Sequence, residues 1–235
     1  MAVHSRKELI EKYIRTAWIL KIRLMSARRH LWASEASLIH LETACLQIRK
    51  ICETIAYFCV IAADIEFEEV PDLRQNYRVG ETFKRLRKSS KLLFPAHACM
   101  TAKENVNDQT IWEIDVKNID EDDINSVKKI HDNTGKIMHE FSPYRDFHDT
   151  AAAPHKLWHD LNALRADHQW LWNQFWHHAN YLKGTLFFIN LGDQTEASRP
   201  IMIKVEGFLD EEIYLDFDPN YVADFTGSVD WAEFQ

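Results

Sequence analysis

A chain of 235 residues with 46% hydrophobic and 12% aromatic content can close one packed core, and six glycines and six prolines are too few for a turn-rich sandwich or barrel. A formal net charge of −8 excludes a surface built to wrap duplex nucleic acid, whose affinity rests on dense cations, but leaves room for a local basic site. The run "KYIRTAWILKIRLM" is interrupted by Arg15, Lys21 and Arg23, so neither a signal peptide nor a membrane span is expected, and the chain reads as cytoplasmic.

Ser5-Arg6-Lys7-Glu8 has the capping-box form and opens a helix to about Arg29, with Leu9, Tyr13, Ala17, Leu20 and Leu24 on one face. Ser34 is the expected cap of a longer helix reaching Asp64, in which Leu38, Leu41, Cys45, Ile48, Cys52, Ile55 and Cys59 hold a three-four spacing; this is the expected central rod. Cys45, Cys52 and Cys59 recur every seventh residue, about 10 Å apart on a helix, beyond disulfide reach, and read as buried core in a reducing compartment. Pro71 closes an acidic linker, and a shorter helix from Gly80 to Leu93 ends before Pro95.

"TIWEIDVKNI" alternates as a half-buried strand does. The acidic Asp120–Asp123 start suits a helix N-terminus, and that helix carries Ile124, Val127, Ile130, Thr134 and Met138 until Pro143 stops it. Pro154 opens a further helix to about Leu182, with Leu157, Leu161, Leu164, Leu171, Trp172 and Phe175 on its apolar face. "TLFFINL", "IMIKVEG" and "EIYLDFD" then read as strands. The expected fold is α+β and predominantly α: long antiparallel helices in a bundle, with a small antiparallel sheet from residues near 110–117 and 185–217. One domain over 1–235 is expected, with a helical core over 1–182 holding one inserted strand and a β elaboration over 183–235.

Four constellations could carry chemistry. Glu42, Arg49 and Glu53 share a helical face, and Arg49–Glu53 is an i,i+4 pair; a structural salt bridge explains it, as does a polar floor for an anion. His139 shares a face with Asp132 and Lys136; a histidine at a helix C-terminus is favoured by the dipole, and it could equally serve as a general acid or base. His155 and His159 stand at metal-ligand spacing with His148 upstream, although their face continues through Asn162, Ala166, Gln169 and Asn173 as a solvent side. Trp158, Trp170, Trp172 and Trp176 have only Arg165 and Lys156 as basic company and read as core or interface aromatics. Gly-rich phosphate loops and Ser/His/Asp signatures are absent, and no cofactor is expected.

"HLETACLQIRKICETIAYFCVIA", "ETFKRLRKSSKLLFPAHA" and "NTGKIMHEFSPY" together, over about residues 37 to 145, resemble an uncharacterised bacterial helical protein family with a Gln-x-Arg-x-x-x-Glu centre and a Gly-Lys-x-x-His segment. More distantly the chain resembles HEPN domains, a helical superfamily that includes RNases of toxin and antiviral systems. That resemblance implies a homodimer whose Arg and His groups meet to cleave RNA without metal. This sequence departs from the family pattern, since Lys136 and not Arg precedes His139, while Arg23 and His30 fit Arg-x6-His in the first helix. Three expectations follow. One is a self-associating or partner-binding HEPN-like module, with or without RNase activity, using His139, Lys136, Arg49 and Glu53. The second is a DinB-like metal protein using His148, His155 and His159. The third is a purely structural subunit.

Overall fold

The computed structural model describes residues 5–35, 37–67, 78–106, 109–140, 153–195 and 198–206; the side chains of 103–112, 139–140, 153–157 and 205–206 lie outside that description. The fold is α+β and predominantly helical, as the patterning requires, with a five-stranded antiparallel sheet.

Helix α1 spans Arg6–Leu31 and starts on the expected capping box: the Glu8 amide donates to Ser5 Oγ at 3.3 Å, and the Ser5 amide donates to Glu8 Oε2 at 2.7 Å. Helix α2 spans Leu38–Glu66. Its cap is Ser37, whose hydroxyl accepts from the His40 amide at 3.2 Å, rather than Ser34; either serine satisfies the cap chemistry, and the chain turns three residues later than expected. The two helices form an antiparallel hairpin. Register is visible in successive pairs along it: Tyr13 against Phe58, Arg23 against Gln47, and His30 against His40.

The sevenfold cysteine stripe is fully buried and unpaired, and burial holds the Cys45 thiol up at about 12. Leu41, Ile48, Ile55 and Phe58 are also fully sealed from solvent, each such side chain contributing about 1.5–3 kcal/mol by leaving water. Leu38, expected in this stripe, is 41% exposed. It is the first helical residue.

Helix α3, Val79–Lys88, stops five residues short of the expected Leu93; Ser89 Oγ takes up the carbonyls of Arg85 and Leu86, and Ser90 turns to φ 55°. Strand β1, Ala96–Val106, had no alternation to announce it. It pairs antiparallel with β2, Gln109–Val116, the strand that alternation does reveal. Helix α4, Glu121–Glu140, begins as its acidic run predicts: Asp120 Oδ1 accepts from the Asp123 amide at 2.8 Å, and the half-exposed Lys117 amine sits 3.0 Å from the Asp123 carboxylate.

Helix α5, Ala153–Phe175, ends earlier than expected. The residues assigned by sequence to its last turns form β3, His177–Leu182, joined to β4, Thr185–Asn190, by the two-residue turn Lys183-Gly184 with φ of 51° and 74°. Two positive φ angles define the hairpin turn that matches strand twist. The Lys183 amide also donates to the Glu66 carboxylate, tying this turn to the end of α2. Strand β5, Ile201–Glu206, completes the order β2-β1-β3-β4-β5, every pair antiparallel. The expected strand over 211–217 lies outside the described residues, as do Trp231 and Phe234.

Along β4, Phe187 and Ile189 enter the helical core while Leu186 and Phe188 join a smaller cluster with Ala98 and Ala179. No helix among the described residues is long and apolar enough to cross a membrane.

Candidate functional site

The two rods that sequence placed side by side do pack: α4 lies along α2. Where they meet, polar groups replace apolar ones. Glu53, on the α2 face turned to α4, has a side chain only 8% exposed. Its Oε2 accepts from Lys50 Nζ at 2.7 Å, its Oε1 stands 3.5 Å from Arg49 Nε, and His131 Nε2 of α4 lies 3.9 Å from Oε1. Burial pushes the Glu53 carboxyl upward, yet His131, Lys50 and Arg49 outweigh it and hold the group below the ordinary glutamate range. Glu53 is therefore a carboxylate at neutral pH.

Arg23 of α1 lies near enough to feel the Glu53 charge. Its Nη1 donates to Gln47 Oε1 at 3.2 Å, and its Nε is buried without a partner. Burial lowers its pKa while Glu53 works in the opposite direction. Arg49 and Lys50 thus flank one buried carboxylate, with Arg23 within its field and Asp132, 57% exposed, beside His131. Arg49 and Lys50 gather positive charge at one place in a chain whose net charge is −8.

His131 is the group that the sequence patterning did not single out. Its side chain is 8% exposed, Nδ1 is 3.4 Å from Asp132 Oδ1, and buried Nε2 makes no hydrogen bond. The Glu53 carboxylate stands 3.9 Å away, which makes Nε2 a buried ring nitrogen held beside a charge without a hydrogen bond of ordinary length. A signal was present. His131 falls between Val127 and Thr134 in the apolar register of α4, so its imidazole had to face the core.

Gly135, one turn further on, is what lets the helices close around Arg49: a Cβ there would stand 2.9 Å from Arg49 Nη1. Glycine inside a helix costs about 1 kcal/mol against alanine. We therefore expect Gly135→Ala to leave folding stability unchanged or raised by up to about 1 kcal/mol, because the half-exposed guanidinium can swing away. The same change should weaken any function that needs Arg49 in place. Paired denaturation and activity measurements check this, and full activity in the alanine variant would show that the position of Arg49 is immaterial.

Of the sequence-derived candidates, Arg49 and Glu53 are together in the seam. Lys136 follows Gly135 and is exposed, like Asp132. His139 stands one turn beyond Gly135, and its side chain lies outside the described ones. Glu42 is exposed and takes no part in the cluster. Arg23 and His30 do not form a pair: the first reaches Gln47 and the second sets its Nδ1 3.0 Å from His40 Nδ1.

For the alternative metal reading, the side chain of His159 is 84% exposed with Nδ1 3.5 Å from Asp160 Oδ1, and Asn162, Gln169 and Asn173 are exposed along the same face. His148 and the side chain of His155 lie outside the description. Among the described residues no group of three or more His, Cys, Asp or Glu is disposed to hold a metal. No family model, characterised protein or solved structure matches this chain.

Proposed function

We propose that the protein is a HEPN-like, metal-independent endoribonuclease whose working site is the α2–α4 seam. The observation that carries this reading is the unpartnered Nε2 of buried His131 beside Glu53, within a group of cations. In RNA, the nucleophile for strand cleavage is supplied by the substrate: the 2′-hydroxyl attacks the adjacent phosphorus and the 5′-oxygen leaves. His131 Nε2 accepts the 2′-hydroxyl proton and returns it to the leaving oxygen. The Glu53 carboxylate stabilises the imidazolium formed between these steps. Arg49 and Lys50, half-exposed at the mouth, neutralise the charge that gathers on the phosphoryl oxygens. Lys136, exposed on α4 next to Gly135, is a further cation for a bound strand.

Arg49 Nε stands 3.5 Å from Glu53 Oε1, and a phosphate binding here takes the place of that carboxylate as the anion of the guanidinium. This chemistry needs no metal. Structured RNA incubated with the full chain in excess chelator should be cut, and Arg49→Ala should slow cutting by about 100-fold, in the range of removing one donor from a developing oxyanion. Intact RNA over a wide range of pH and protein concentration would leave the seam a helix clasp.

A further inference from the structure

A second surface carries an unneutralised cation. Along the groove where α1 and α5 pack, cations alternate with indoles. Lys21 Nζ lies 6.0 Å from the Trp176 ring, Trp176 stacks on Trp172 with centroids 3.9 Å apart, and Arg28 stands 5.0 Å from Trp172. His168 links Trp172 to Trp32 through ring contacts at 5.6 and 5.4 Å. At the open end the Arg165 guanidinium lies 5.8 Å from the Trp32 ring and 5.9 Å from that of Trp158. Lys21, Arg28 and Trp32 all come from the first helix and its cap, which is why the local sequence of α5 showed so few basic companions.

The open end differs from the rest of this ladder. Trp32 is 48% and Trp158 51% exposed, whereas Trp176 is buried. Arg165 Nε donates to the Leu31 carbonyl at 2.9 Å and Nη1 to Asn162 Oδ1 at 3.1 Å. Both acceptors are neutral, and among the described residues neither an ion pair nor a partner for Nη2 meets this guanidinium. An apolar partner docking here would bury that charge unpaired. A simple anion would leave the indole faces in water. A ligand that satisfies both joins an anion to a flat ring in each repeat, which is the chemistry of a nucleotide strand.

We infer that Trp32, Arg165 and Trp158 form a docking surface for single-stranded RNA, with a backbone phosphate on Arg165 Nη2 and bases stacked on the two indoles. The surface belongs to a different helix pair from the seam. It rests on RNA being what the protein acts on, and the two ideas can fail separately if binding is measured in the full-length His131→Ala protein. The probe is a short labelled oligouridylate in chelator, followed by fluorescence anisotropy. Trp158→Ala, a change at a half-exposed side chain, should weaken binding about tenfold, and Trp158→Phe should retain most of it. A strand with the same phosphates but no bases should bind as weakly to the His131→Ala protein as oligouridylate does to the Trp158→Ala variant. Equal affinity for the abasic strand, no effect of Trp158→Ala, or an acidic peptide of equal charge binding as tightly as the RNA would each overturn the inference. Cleavage by the unaltered protein is scored independently of all three.

Discussion

Replacing His131 with alanine should reduce metal-independent RNA cleavage by about 10²–10⁴-fold, the usual contribution of a positioned acid–base group. The size of the effect follows from geometry. Among the described residues of the seam, Nε2 is the buried nitrogen that combines a titratable proton site, no hydrogen-bond partner and a carboxylate 3.9 Å away. Arg49 and Lys50 offer hydrogen-bond donors and no acceptor.

A structural role for His131 predicts something different. Its removal would then cost stability through a cavity and a less well compensated Glu53, and activity would fall only as far as folding does. Thermal unfolding separates the two. The active-site reading requires a variant that melts as a folded protein and fails in cleavage. His131→Asn keeps polarity at the position without a titratable ring and should be equally inactive.

Acidification should destabilise the fold from about pH 6.5 downward, and His178 is the main reason. Its ring is fully buried on β3 among Tyr13, Phe58 and Phe175, with Nδ1 donating to the Phe175 carbonyl at 2.8 Å and Nε2 unpartnered. Burial lowers its pKa from the ordinary 6.5 to about 4, against the pull of the Phe175 carbonyl. The folded state therefore resists a proton that the unfolded chain accepts. Stability from this group is fully present above pH 6.5 and declines as pH falls through the window from 6.5 to about 4. At the lower end about 3 kcal/mol has been lost, because each pH unit between the folded and unfolded values corresponds to about 1.4 kcal/mol.

Burial displaces His168, His177 and His30 in the same direction, so their contributions share this sign. Glu53, held low, adds acid sensitivity only below the unfolded glutamate range near 4.5. Urea unfolding at several pH values measures the slope. His178→Phe, close in volume, should flatten the curve between pH 6.5 and 4 even if it lowers stability uniformly by losing the bond to Phe175. An unchanged slope would assign the acid sensitivity elsewhere.

The helices were legible because each carries its own signal. The Ser5–Glu8 box, the cysteine stripe and the Asp120–Asp123 start are local devices, and the structure uses each of them. The sheet was partly legible. β2, β4 and β5 read correctly, whereas β1 has no alternation, and His177–Leu182 was absorbed into the preceding helix because His, Ala, Tyr and Leu tolerate either state. What decides that segment is tertiary: pairing with β4 through the Lys183-Gly184 turn and burial of His178 beneath the α1–α2 hairpin.

For the site, sequence spacing placed Arg49 and Glu53 on one face and set α4 against it. It looked for the imidazole near the Pro143 break, where a helix end gives histidine an ordinary reason to exist. The imidazole that meets Glu53 is two turns earlier, in the apolar register, where a polar ring has to be explained by what it faces. Arg165 was visible beside the Trp residues, but Lys21 and Arg28 were illegible for another reason: the chain supplies them from a helix remote in sequence.

The seam is tested most directly by offering the unaltered protein, in excess chelator, two strands of one sequence that differ only in a single 2′-deoxyribose at the preferred cleavage position. If His131 takes its proton from a ribose hydroxyl, the all-ribose strand is cut there, leaving a 2′,3′-cyclic phosphate, and the deoxy position is inert. Equal cutting of both strands, or cutting that appears only when divalent metal is restored, would contradict the account.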